Sequence, residues 1–124
     1  GTQKGAIVVS SSGTAFQTSS DYRLKENVDY TWDATTRLKQ LKPARFNFIA
    51  DSTNTLVDGF IAHEVSNIVP EAITGEKDAT ETYINDDGDS ATRIKPQGID
   101  QSKIISILTK TIQELEARIT ALEG

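Results

Sequence analysis

The sequence contains no cysteine and only one histidine, His63. Without thiols the chain can form no disulfide and offers no thiolate to a metal, and a single imidazole cannot build a histidine-rich zinc site. No metal and no other cofactor is expected. Aromatic residues make up 6% and hydrophobic residues 36% of the 124 positions, which predicts a modest core that association with other subunits would supplement. No apolar run approaches the roughly 18 residues needed to cross a bilayer, and no amino-terminal signal peptide is visible, so a soluble chain with no membrane partner is expected. Basic residues are outnumbered 13 to 18, giving a formal charge of -5, and they form no run. A general nucleic-acid binder is excluded, because neutralising phosphates needs a basic surface. The chain also begins at Gly1-Thr2 without an initiator methionine, as a fragment of a larger protein would.

The charge that is present is unevenly placed. Gly1 to Ser19 is rich in Ser, Thr and Gly, carries Lys4 as its one charged residue, and has one apolar run at Ala6-Ile7-Val8-Val9; every acidic residue lies after it. At the junction stands Ser20-Asp21-Tyr22-Arg23-Leu24-Lys25, a hydroxyl nucleophile followed by a possible lysine base. A serine and a lysine can perform acyl chemistry without histidine if the amine loses its proton, which burial or a nearby cation such as Arg23 favours. The spacing gives no automatic proximity. Residues five apart face opposite sides of a strand and lie roughly 140° apart around a helix, so either a bend or a lysine from another subunit is needed. The plain alternative is a solvated charged segment following a strand.

The carboxyl terminus carries a second local signal. Ile105, Leu108, Ile112, Leu115, Ile119 and Leu122 recur at alternating spacings of three and four, an a/d heptad seam pointing to self-association. A helix packed on its own domain is the competing reading. Ile at a with Leu at d ordinarily favours a parallel dimer. Against that, Arg118-Ile119-Thr120-Ala121-Leu122-Glu123 is similar to the Arg-apolar-x-x-apolar-Glu pattern of three-stranded coils. Arg118 at g can reach Glu123 at e of the next chain, so a parallel homotrimer is the expected state.

Between these ends the patterning predicts a small α+β domain. Strands are expected at Ala6 to Ser10 and, more weakly, Ala15 to Thr18, with Ser11-Ser12-Gly13 turning between them. Asp33 is expected to cap a short helix through Leu41, ahead of Pro43. Arg45 to Ile49 and Leu56 to Ala62 read as a hairpin around Asp51-Ser52-Thr53-Asn54, and His63 to Ile68 as a helix ended by Pro70. Thr80 to Ile84 and Ala91 to Ile94 flank Asn85-Asp86-Asp87-Gly88-Asp89, a protruding hairpin with its turn at Asp-Gly. Calcium is the competing reading of that acidic turn, but no glutamate closes an EF-hand loop. His63 and Glu64 could form an acid/base pair only against geometry, since adjacent helix positions point about 100° apart. Trp32, Tyr30 and Tyr22 could stack on a sugar, with core or interface packing the preferred alternative.

Three blocks, in order, carry a family resemblance: Ser20-Asp21-Tyr22-Arg23-Leu24-Lys25-Glu26-Asn27-Val28; Gly59-Phe60-Ile61-Ala62-His63-Glu64-Val65 followed by Val69-Pro70-Glu71; and Gly98-Ile99-Asp100 before the last helix. The chain from Ser20 to Leu122 resembles the C-terminal intramolecular chaperone and auto-processing domains that end phage endosialidase tailspikes, neck appendages and long tail fibres. Every defining position of that family's Ser-Asp-x-Arg-x-Lys pattern is matched, while His63 stands where glutamine is common. The resemblance implies a trimerising device that assembles the β-structured fibre preceding it in the same polypeptide and then cuts itself off. Ser20 would be nucleophile and Lys25 general base, cutting Ser19-Ser20, with Asp21 and Arg23 orienting or tuning the pair. Residues 1-19 would be the distal end of the fibre, 20-98 the globular chaperone with its gripping arm at about 79-95, and 99-124 the coiled-coil helix. Assembly would occur in the host cytoplasm, with the mature fibre in the virion tail and the released domain absent from it. The alternative is a permanent trimeric tip or receptor-binding module with an inert Ser20 motif. A hydrolase acting on external substrates has no second catalytic cluster to support it.

Overall fold

A computed structural model describes residues 8–10, 13–15 and 19–124. Its contacts divide the chain into two compact units, 1–32 and 33–124.

In the first unit, β1 (Val8–Ser10) pairs antiparallel with β2 (Gly13–Ala15), Ser10 opposite Gly13. Gly13, expected in the turn, is therefore a strand residue. The remainder of the two expected strands, residues 6, 7 and 16–18, and Ser11 and Ser12 of the turn, lie outside the described residues. A single 3-10 turn, Tyr22–Leu24, follows.

The second unit is mixed α and β. Helix α1 spans Thr35–Leu38, shorter than the expected run to Leu41. Beyond Leu38 the winding tightens, with Gln40 N–H bonding the Arg37 carbonyl and Leu41 N–H the Leu38 carbonyl. Lys42 precedes Pro43, and a residue before proline is pushed out of the helical region. The N-cap position is Ala34, with no side-chain cap bond, and not the expected Asp33, whose carboxylate one residue earlier accepts from the Thr36 hydroxyl at 2.5 Å.

The hairpin of β3 (Ala44–Phe46) and β4 (Val57–Gly59) pairs Arg45 with Asp58 and Phe46 with Val57. Its strands are shorter than expected because the chain leaves the ladder at Asn47 for a loop organised by Asp51. The Asp51 carboxylate accepts from the Thr53 and Thr55 amides, both at 3.0 Å, and from the Thr53 hydroxyl. At Gly59 the Phe46 ring lies 3.3 Å from the place a Cβ would occupy, so glycine lets the ring approach this strand end without displacement.

Helix α2 is Ala62–Ser66, and Pro70 opens a 3-10 turn, Pro70–Ala72, instead of directly ending the helix. Strand β5 (Ile73–Thr74) pairs with β8 (Gly98–Ile99). Between them stands the expected hairpin, β6 (Thr80–Ile84) against β7 (Ser90–Ile94), whose strands, among the described residues, pair only with each other. Arg93 lies over the Tyr83 ring and bonds Glu81 across the ladder.

Helix α3, Ser102–Glu123, is the longest element. Glutamates, leucines and isoleucines without an internal Gly or Pro favour it. Asp100 starts it by accepting from the Ser102 amide at 3.1 Å and the Ser102 hydroxyl at 2.6 Å, while its own N–H bonds the Ala72 carbonyl at 2.7 Å. The core is small: Ala34, Val65, Val69, Ala72, Ile104 and Ile107, with Thr35 and Thr111. Among the described residues, no helix is long and apolar enough to cross a membrane.

One long-range polar clamp ties α1 to α3. The Glu114 carboxylate accepts from the buried Ala34 and Thr35 amides, each at 2.9 Å, and from the Thr35 hydroxyl. Those bonds, the Thr35 hydroxyl first, hold the Glu114 carboxyl below its ordinary range. They also occupy free amides at the start of α1.

Candidate active site

The backbone at the Ser20 motif supplies the bend that the spacing requires. Asp21 is extended (φ -66, ψ 132) and Lys25 is extended (φ -121, ψ 148), with one 3-10 turn between. Leu24 N–H bonds the Asp21 carbonyl and Lys25 N–H the Tyr22 carbonyl, both at 3.1 Å. Two extended arms leave a tight turn, and their side chains converge. Lys25 Nζ donates to Ser20 Oγ at 2.6 Å. Of the two routes open at the level of sequence, this is the bend within one chain.

Asp21 and Arg23 build the turn. Asp21 Oδ1 accepts from the Arg23 amide at 2.9 Å and Nε at 3.0 Å, while Oδ2 accepts from Nη2 at 2.8 Å. This two-pronged pairing fixes both side chains in one plane. The Arg23 side-chain bond, then its amide, holds the Asp21 carboxyl below its usual range, and Asp21 in turn raises Arg23. Arg23 is thus committed to Asp21, and its role is to hold the turn in shape. Of the two expected roles, orienting or tuning the pair, the Asp21–Arg23 bonding corresponds to orientation.

Ser19, Ser20 and Lys25 are all exposed in the single chain. Tyr22 is 82% and Tyr30 81% exposed, so neither packs in a core, and Trp32 is half-buried. His63 is exposed and Glu64 half-buried on α2, with no hydrogen bond between them among the described residues. In the acidic hairpin turn, Asn85 Oδ1 accepts from the Asp87 and Asp89 amides at 3.0 and 2.9 Å, and Gly88 takes φ +82. Those are the features of a closed turn. Among the described residues, no group of three or more His, Asp or Glu side chains could hold a metal ion.

Helix α3 presents two stripes. Ile104, Ile107 and Thr111 are buried against the helix's own domain, with Glu114 alongside. The expected seam of Ile105, Leu108, Ile112, Leu115, Ile119 and Leu122 is 42 to 87% exposed. At about 100° per residue the stripes are centred roughly a quarter turn apart, so packing on its own domain leaves the seam open. Arg118 contributes favourably to the Asp33 carboxylate of its own chain.

No curated protein matches the chain. Residues 20–74 match the family model Peptidase_S74, chaperone of endosialidase, a match that starts at the nucleophile candidate and ends at the last residue of β5. The Ser20-to-Lys25 turn therefore opens the segment, residues 20–74, over which this chain is similar to the chaperone of endosialidase family.

Proposed function

We propose that this chain is an intramolecular chaperone that trimerises, sets the register of the β-structured fibre preceding it, and releases itself by cutting Ser19–Ser20. The observation that carries the reading is the 2.6 Å contact of Lys25 Nζ with Ser20 Oγ at the first residue of the family match.

The chemistry is a shift of the Ser19 acyl group from nitrogen to oxygen. Neutral Lys25 takes the Ser20 hydroxyl proton as Oγ bonds the Ser19 carbonyl carbon through a five-membered ring, a proximity effect within one residue. The carbon–nitrogen bond breaks, its electron pair stays on the Ser20 nitrogen, and the lysine returns the proton there. Water then adds to the resulting ester and Ser20 Oγ leaves with a proton. The products are a Ser19 carboxylate and a Ser20 amino terminus. Asp21 and Arg23 position the pair through the turn and touch no reacting atom.

Lysine acts as base only after losing a proton, and removing water from an ammonium favours the neutral amine. In the single chain the pair faces solvent. Cover from neighbouring chains would supply the dry surroundings, so cleavage follows assembly. Three-chain β-structure is dominated by non-local contacts and registers slowly. A carboxy-terminal trimer built on the open seam of α3 makes zippering locally intramolecular. The β6–β7 hairpin is the arm that holds the folding fibre. Removal of the scaffold leaves a fibre that persists through its unfolding barrier. On this reading assembly takes place in the host cytoplasm and the fibre ends in the virion tail.

The test is the intact mass of freshly purified protein beside Ser20→Ala and Lys25→Ala, with light scattering on each. Wild-type fragments ending at Ser19 and starting at Ser20, with both variants uncut but trimeric, support the proposal. An uncut wild-type trimer instead identifies a permanent tip or receptor-binding module.

A further inference from the structure

An apolar groove of about 610 Å³ opens where α3 begins, lined by Leu38, Leu41, Pro43, Phe60, Ile105 and Leu108. That is room for two or three large side chains. Its floor includes the first two positions of the exposed seam, Ile105 and Leu108. The hairpin of β3 and β4 leaves from its rim, since Pro43 and Phe60 flank the two strands. At the far end of that hairpin stand Phe48, Ile49 and Leu56, at 64, 102 and 63% exposure.

The loop holding them is not loose. Asp51 bonds the Thr53 and Thr55 amides, Asp51 N–H bonds the Phe48 carbonyl, and Asn54 N–H bonds the Asp51 carbonyl. Phe48 also rests edge-on against Phe46, ring centres 5.5 Å apart. A network of this kind holds Ile49 outward with no cover from its own chain, an ordering that serves a contact made elsewhere.

We propose that the Phe48–Ile49–Leu56 knob of one copy seats in the groove of the next copy around the trimer. This inference rests on the trimer reading above. Three observations select a second copy as occupant. A closed ring of three needs two different, mutually complementary patches on each chain, and this chain carries an apolar groove and an apolar knob. The groove is continuous with the seam through Ile105 and Leu108, so any copy docked on the seam arrives at the groove mouth. The charges also match: Lys39 at the groove makes no ion pair among the described residues, and Asp51 sits beside the knob. Three-residue strands carry the loop about 10 Å from its own groove rim, comparable to the 8–10 Å between packed helices. The knob is thereby placed to span to a neighbour.

The absence of native cysteine permits a direct test. The full chain carrying both Ile49→Cys and Leu41→Cys is mildly oxidised, with each single variant as control and light scattering on the reduced protein. The expected result is a ladder of covalent dimer and trimer on a non-reducing gel, in the double variant and, as dimer, in a mixture of the two singles. Absence of the ladder in a protein that scatters as a trimer overturns the knob-and-groove contact and leaves the trimer standing. A disulfide closed within one chain overturns it too, showing the groove filled by its own knob. A monomer by light scattering overturns both the contact and the trimer on which it rests.

Discussion

Two isoleucines five residues apart on α3 give opposite expectations when each is cut to alanine. Ile107 is 2% exposed and packs within the chain, whereas Ile112 is 65% exposed on the seam. Ile107→Ala removes buried carbon and leaves a cavity, which costs about 2–5 kcal/mol at any protein concentration. Ile112→Ala removes a side chain that the single chain barely uses, so the diluted protein changes by less than about 0.5 kcal/mol. In a trimer the exposed two-thirds of Ile112 would be buried. Taking about 1.5–3 kcal/mol for a whole side chain, that share is about 1–2 kcal/mol per chain and about 3–6 per trimer, or two to four powers of ten in the association constant. The assay is urea unfolding at two protein concentrations a hundredfold apart, with light scattering at both. The wild-type midpoint should rise with concentration, the Ile112→Ala midpoint should lose that dependence, and the Ile107→Ala midpoint should fall in parallel at both. Equal, concentration-independent losses for the two variants would refute the assignment of the stripes. So would an Ile112→Ala protein that matches wild type at every concentration.

Asp21→Asn should loosen the turn that joins Ser20 to Lys25 and slow the appearance of cleaved mass by at least tenfold, an order set by the sensitivity of such geometry to small displacement, while the trimer mass stays unchanged. The Asp21 carboxyl should titrate below the ordinary aspartate range by NMR and move back toward it in Arg23→Ala, because the Arg23 side-chain bond is the main cause of its lowering. Glu114→Ala should expose the Ala34 and Thr35 amides to faster hydrogen exchange. Acid should do the same in the wild type: the folded carboxyl is held low, so its contribution is present above the unfolded value and is lost as pH falls through the folded one. Gly75→Ala should destabilise by about 1 kcal/mol, since φ is +80 there and an L side chain is strained in that region, and a lowered urea midpoint with unchanged slope would report it.

What the sequence determined by itself is local. The heptad seam, the β6–β7 hairpin around Asp87-Gly88, and the Ser20 motif all lie within short stretches, where periodicity and turn chemistry fix the outcome. Even the bend between Ser20 and Lys25 is made by residues between them, Asp21 bonding Arg23 two positions away. Tertiary structure decided the rest. The pairing of Ile73 with Ile99 joins two-residue strands too short to show a pattern. Glu114 reaches Ala34 across eighty residues, a polar contact that leaves no periodic trace. The buried stripe of α3 was hidden in the same way, because Thr111 and Glu114 interrupt its apolar run. Which face of that helix meets its own domain, and which stays exposed, follows from burial of Ile104 and Ile107 against elements distant in sequence. Spacing along one helix carries no information about those partners.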